Sequence, residues 1–323
     1  MRISTLALAM AAAAGLGLAG PAVQAADKWP SKPVTIVVPF GTGSTTDIVS
    51  RLYAKFLTQE TGATVVVENR PGGNAMVGSQ HVAKAAPDGY TLLMGSGTAN
   101  AANYALYAGR IPYQPEAFAT VSMIFIAPPV IFAAPGIDGE SVQKAVASAK
   151  KSPKGATCGS GNAVTMVACQ KLSQISGGGI VNVQYKGTGQ SLLDLAGGQI
   201  TLAISDMGAA DALVRNGRVR PLSVAAQNRL SSIPNVPSAK EQGLDMDFLS
   251  WNALFVPAGT PDAIIERLSK VAQQMIDSPE GDAVRASGSG FKIKADREYA
   301  KKFVSDEILK WERYVRETGA KGD

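Results

Sequence analysis

The sequence predicts an α/β protein with mainly parallel sheets. Short β-branched apolar runs alternate with stretches of helical periodicity along most of the chain. Several of those runs end in loops built from Gly, Ser, Thr and Asn. The length of 323 residues is enough for two domains of ordinary size.

Residues 1–25 read as a secretory leader. Arg2 is the charged start, Leu6 to Leu18 an Ala-rich apolar run, and Val23-Gln24-Ala25 a small-residue cleavage site, so the mature chain is expected to begin at Ala26. The apolar run is short for a membrane span and no second one follows. No Cys lies near the cleavage site to accept a lipid. The formal charge of +5 comes without a basic run, so no nucleic-acid footprint is present.

The first strand is expected at Val34–Val38. A loop, Pro39-Phe40-Gly41-Thr42-Gly43-Ser44, follows it, and Ile48, Val49, Leu52, Tyr53, Phe56 and Leu57 then recur at helical spacing. After Phe40 this loop has no bulky side chain, so a ligand can approach its backbone. The helix behind it points unpaired N–H groups and the positive end of its dipole at that ligand, which suits an anion. The same stretch reads equally as a structural turn, with Ser44 and Asp47 forming a capping box.

Further strand-like runs lie at Thr64–Val67, Thr91–Met94, Val130–Ala134, Val181–Tyr185, Thr201–Ile204 and Leu222–Ala225. The second ends in Asn69-Arg70-Pro71-Gly72-Gly73-Asn74, the third in Gly95-Ser96-Gly97-Thr98. In an open α/β sheet such strand ends share one edge, where ligands bind. Cys158-Gly159-Ser160-Gly161-Asn162 and Tyr185-Lys186-Gly187-Thr188 repeat the pattern in a second unit. Two such edges facing each other would enclose a cleft. Leu249 to Pro257 reads as a long strand, and helices follow from near Pro261 and from about Arg297 to Glu317. Both helices are placed back on the first domain, with hinge crossings near Val130 and Trp251.

Catalytic chemistry is poorly supplied. His81 is the only histidine, no Cys or carboxylate cluster has zinc spacing, and neither a G-x-S-x-G elbow nor a P-loop occurs. No metal or cofactor is therefore expected. Cys158 at a strand end and Cys169 two turns into the next helix are the only cysteines, and an exported chain permits a bridge between them. Phe40 is assigned to the cleft. Trp251 fits cleft or core, and Tyr104 and Tyr107 fit surface or rim.

Pro39-Phe40 with its loop and Asp47, Asn69 to Asn74, Pro87-Asp-Gly-Tyr-Thr-Leu-Leu93, Tyr185-Lys-Gly187, Asp194 to Ile200, Gly217 to Leu222 and Pro257-Ala-Gly-Thr-Pro261 form a specific set. On these motifs the mature chain resembles the Bug family, the periplasmic solute-binding proteins of tripartite tricarboxylate transporters. The resemblance implies a two-domain, type II Venus flytrap holding a small carboxylate between domains. It places residues 26–128 and 250–323 in the first domain and 129–249 in the second. Ligand-binding positions on one side are Phe40, Gly41, Thr42, Gly43, Ser44 and Asp47. On the other they are Gly159, Ser160, Gly161, Asn162 and Thr165. Gly73, Asn74, Ser96, Gly97, Thr98, Tyr185, Lys186, Gly187, Thr188 and Asp206 complete the wall. The implied partners are a di- or tricarboxylate or aromatic acid and the membrane subunits of the transporter, with the protein a monomer. A sensing module for a membrane kinase and an exported α/β enzyme are the competing readings. The chain departs from the family at Thr42-Gly43-Ser44, where Pro-Gly-Gly is usual, and lacks the His-Leu pair after the second-domain loop.

Overall fold

The computed structural model describes residues 29–322, so the leader expected at residues 1–25 lies outside the described residues. Among the described residues, ten strands form two five-stranded sheets. In the first, β1 (Val34–Val38), β2 (Val65–Asn69), β3 (Thr91–Ser96), β4 (Phe118–Ala127) and β10 (Ser250–Pro257) take the order β2-β1-β3-β10-β4. In the second, β5 (Val130–Ala133), β6 (Ala156–Ser160), β7 (Ile180–Gln184), β8 (Leu202–Ser205) and β9 (Arg220–Val224) take the order β7-β6-β8-β5-β9.

The sheets are mixed, which corrects the expectation of mainly parallel ones. β1 runs parallel to β2 and β3, but β10 is antiparallel to β3 and β4. β6 runs parallel to β7 and β8, but β5 is antiparallel to β8 and β9. A crossover helix brings a strand back parallel to the one before it. β5 and β10 each enter from the other sheet, so no crossover sets their direction. β4, absent from the expected strands, passes straight into β5 through Pro128-Pro129. The return leg is pinned where Phe248 N–H donates to the Ala225 carbonyl at 2.9 Å.

Helices cover the sheets. α1 (Thr45–Thr61) buries Val49, Tyr53, Ala54 and Leu57, and the Tyr53 hydroxyl donates to the Leu268 carbonyl at 2.8 Å. That carbonyl belongs to α8 (Asp262–Ile276), whose Ile264, Ile265, Leu268, Val271 and Ala272 form one buried stripe. Covered on both faces, β1 reads as the nearly continuous apolar run Val-Thr-Ile-Val-Val. The other helices are α2 (Met76–Ala83), α3 (Asn103–Leu106), α4 (Val142–Lys151), α5 (Ala163–Ile175), α6 (Thr188–Ala196), α7 (Met207–Arg215), α9 (Pro279–Gly288) and α10 (Arg297–Thr318). In α10, Trp311 is buried and Tyr314 stacks on Phe248 with ring centroids 4.7 Å apart. The disulfide Cys158–Cys169 joins β6 to α5 with both residues buried. No helix among the described residues is long and apolar enough to cross a membrane.

Candidate functional site

A cavity of about 540 Å³ opens between the two sheets' loop edges. Its first wall is the β1–α1 loop. Gly43 takes φ +82°, a left-handed conformation that favours glycine, and turns the chain into α1. The Ser44 hydroxyl caps the helix, accepting from Asp47 N–H at 3.2 Å. Asp47 reaches back, accepting from Gly43 N–H at 3.0 Å rather than from Ser44, so the capping box closes one residue early. It also accepts from Arg51 Nε and Asn69 Nδ2 at 3.0 Å each. Burial pushes the Asp47 carboxyl up, but the bonds from Arg51, Gly43 and Asn69 outweigh it and hold it below its ordinary value. With these bonds made, Thr45 and Thr46 N–H have no partner among the described residues, and both residues line the cavity.

The opposing wall is the β6–α5 loop. Asn162 and Thr165 form a complete capping box: Thr165 N–H donates to Asn162 Oδ1 at 3.0 Å. The Thr165 hydroxyl oxygen accepts from Gly161 N–H at 3.0 Å and Asn162 N–H at 3.2 Å. The loop's own amides are thus spoken for, and the free donors are those of Ala163 and Val164. A Cβ on Gly161 would lie 2.1 Å from Thr188 N, so only glycine lets the start of α6 pack here. α6 and α7 begin at Gly187 and Asp206, and neither start has a side-chain cap. Four helix N-termini, with Gly97-Thr98 between β3 and the turn that follows, therefore converge on one cavity. Their dipoles and unpaired N–H groups favour negative charge.

Of the positions expected to bind, Phe40 to Ser44, Ser96 to Thr98, Gly161, Asn162, Lys186 to Thr188 and Asp206 line this cavity. Gly73, Asn74, Ser160 and Tyr185 line a second lobe of about 500 Å³, which shares Phe40, Gly41, Gly161, Asn162 and Lys186 with the first. There Gly72, Gly73, Asn74 and Ala75 all take positive φ, and Asn103 Nδ2 donates to the Asn74 carbonyl at 2.8 Å to hold the turn. Tyr185 donates to Asp194 at 2.9 Å, and burial with that carboxylate pushes its hydroxyl up to about 12. Tyr107 lines this lobe, while Tyr104 packs edge-on to Tyr113.

Three expected positions do not line either lobe, which corrects the sequence reading. Asp47 and Thr165 are buried behind their loops, occupied by the capping bonds above. Gly159 faces Ile200 and Ser191 inside the second half. Trp251 is both core and wall: it is 2% exposed, its Nε1 donates to Glu307 at 3.0 Å, and it borders the cavity. Ser250 and Asn252 of β10, Gly208 and Ala209 of α7, and Val284, Ser287 and Gly288 of α9 complete the lining. The small-residue run Ser287-Gly-Ser-Gly290 resembles the other loops and signals the last of these. Nothing in the sequence signals Gly208.

Residues 49–320 match the family described as the tripartite tricarboxylate transporter family receptor. Protein BugT of Bordetella pertussis is 33% identical over 310 residues, covering 94% of each chain. The solved structure of R. palustris Rpa4515 with adipate is 28% identical, with TM-score 0.83, covering 90% of this chain and 98% of that one. MatC from Rhodopseudomonas palustris with bound malate is 26% identical, with TM-score 0.81, covering 89% of this chain and all of the other.

Proposed function

This chain belongs to the tripartite tricarboxylate transporter family of receptors, the Bug-type periplasmic solute-binding proteins, and from that premise we propose that it captures a small carboxylate between its two domains and delivers it to the membrane subunits of such a transporter. The observation that carries this is the convergence of four helix starts on one cavity, with free N–H groups at Thr45-Thr46 and at Val164. A cavity of about 540 Å³ suits a metabolite-sized acid. Adipate in Rpa4515 and malate in MatC support the same class of ligand. The domains run from 26–128 with 250–323, and over 129–249, and residues 1–25 direct export as a cleaved leader. The protein acts as a monomer and binds without turnover.

Calorimetric titration with a panel of carboxylic acids, each beside its neutral amide, tests the reading. An amide offers fewer acceptors and puts a donor against donors. The acid should bind at least tenfold more tightly, since a charge-assisted hydrogen bond contributes on the order of 1.5–3 kcal/mol. Equal binding of acid and amide would sink the anion site.

A further inference from the structure

We infer that the ligand carries an ammonium group beside its carboxylate, and that Asp206 is the residue that recognises it. The inference rests on the carboxylate reading above and narrows it to zwitterionic, amino-acid-like acids.

Asp206 sits between β8 and α7, at the position where an Asp ordinarily caps the helix by accepting from an N–H in its first turn. Here the side chain makes no such bond. It borders the cavity instead, and its Oδ1 is buried without a hydrogen-bond partner among the described residues. A dry carboxylate oxygen in this state is costly unless something donates to it. The protein supplies little. No described cation forms an ion pair with Asp206, and the only other charged residue on the cavity wall is the exposed Lys186. Burial pushes its carboxyl up, opposed only by a hydrogen bond from Ser250.

The start of α7 behind Asp206 presents a positive dipole end, but the element facing Asp206 across this corner presents a negative one. α9 ends at this corner: a Cβ on Gly208 would lie 3.0 Å from both the Ser287 carbonyl oxygen and Gly288 Cα. A helix C-terminus presents outward carbonyls and the negative end of its dipole, which attract a cation. The cavity is therefore dipolar. Helix starts at Thr45-Thr46 and Val164 form its donor side, and Asp206 with the end of α9 forms its acceptor side. A simple dicarboxylate would satisfy the first and leave an anion against the second. A ligand ammonium would donate to Asp206 Oδ1 and restore its charge balance, whereas a hydroxyl would leave the carboxylate without a counter-charge.

The test is calorimetric titration of the full exported chain and of Asp206→Asn with matched pairs: L-alanine and propionate, L-aspartate and succinate, L-glutamate and glutarate, L-phenylalanine and 3-phenylpropionate. For at least one pair, the amino acid should bind the unaltered protein at least tenfold more tightly than its partner without the amino group. Asp206→Asn should reduce that ratio to below threefold. Plain acids binding as well as or better than every amino acid would overturn this inference and leave the carboxylate reading standing. So would an Asp206→Asn protein that keeps the amino-acid preference. If Asp206→Asn does not fold, the ratio in the unaltered protein decides alone. Failure of every acid and amino acid to bind would overturn both readings together.

Discussion

Asp47 shapes the ligand loop without touching what the loop would hold. Its carboxylate ties together Gly43, Arg51 and Asn69, and Asn69 in turn donates to the Phe40 carbonyl at 3.0 Å. Asp47→Ala would remove the acceptor that Gly43 N–H, Arg51 and Asn69 share, three part-buried or exposed bonds to one buried carboxylate, so it should destabilise the fold by about 1–2 kcal/mol in denaturant titrations at neutral pH. The pH dependence follows from the depressed carboxyl. Its stabilisation is complete above the ordinary Asp range and is lost as pH falls through the lower folded value. The unaltered protein should therefore lose stability on acidification more steeply than Asp47→Ala, and parallel acid limbs would show that Asp47 is not linked to folding. Gly161 is the counterpart on the second loop. Gly161→Ala puts a methyl 2.1 Å from Thr188 N and should displace the start of α6, weakening ligand binding at least tenfold by calorimetry. Side chains of this kind are only half legible in sequence. The three-residue spacing of Ser44 and Asp47 suggested a cap as readily as a ligand contact, and the side chains of Asp47 and Thr165 proved to face their own loops. A motif marks which residues build a loop, but not which of them point outward.

The elements themselves were read with less ambiguity where one local signal defined them. β1 was expected at Val34–Val38 and is found there, because five apolar or β-branched residues stand between a proline and a Pro-Phe-Gly turn. The strand-loop-helix units around Ser44 and Asn162 were legible for the same reason: their capping residues lie in the sequence. β4 was not legible, since its run Phe-Ala-Thr-Val-Ser-Met-Ile-Phe-Ile-Ala merges into β5 with only Pro128-Pro129 between. Its partner β10 lies more than a hundred residues away in sequence, and strand direction set by such a return has no local signal. The Cys158–Cys169 bridge belongs to this scale, because it fastens α5 to β6 just behind the Asn162 turn. Its closed loop spans a sequence separation of 11, for which chain entropy gives about 3 kcal/mol. The double variant Cys158→Ala, Cys169→Ala should lower the denaturation midpoint by a corresponding amount and weaken binding, as the α5 start loses its anchor. An unchanged midpoint would show that the helix is held by packing alone.

At the scale of the whole molecule, two sheets are joined through Pro128-Pro129 and the return to β10, and the ligand cavity lies between their edges. Other contacts bridge the halves away from those strands. Lys171 of α5 pairs with Glu317 of α10 at 3.2 Å, and the Ser232 and Ser289 hydroxyls meet at 2.5 Å. Backbone meets backbone at the cavity rim, where Gly208 of α7 abuts Ser287 and Gly288 of α9. If binding and closure are one event, this contact exists only when the halves have come together, and a side chain there would oppose closure without disturbing either half. Gly208 lies in a helix, where leucine is a better helix former than glycine, so Gly208→Leu should not reduce the stability of the ligand-free protein. Its side chain would nevertheless meet α9 backbone that cannot give way as a flexible side chain would. The expected outcome is a melting temperature within a few degrees of the unaltered protein, affinity for the best carboxylate reduced at least tenfold, and a larger radius of gyration by X-ray scattering at saturating ligand. Equal affinity and equal compaction would mean that the α7–α9 contact is not part of the closed state, and that the ligand is held by the two loops without the halves moving.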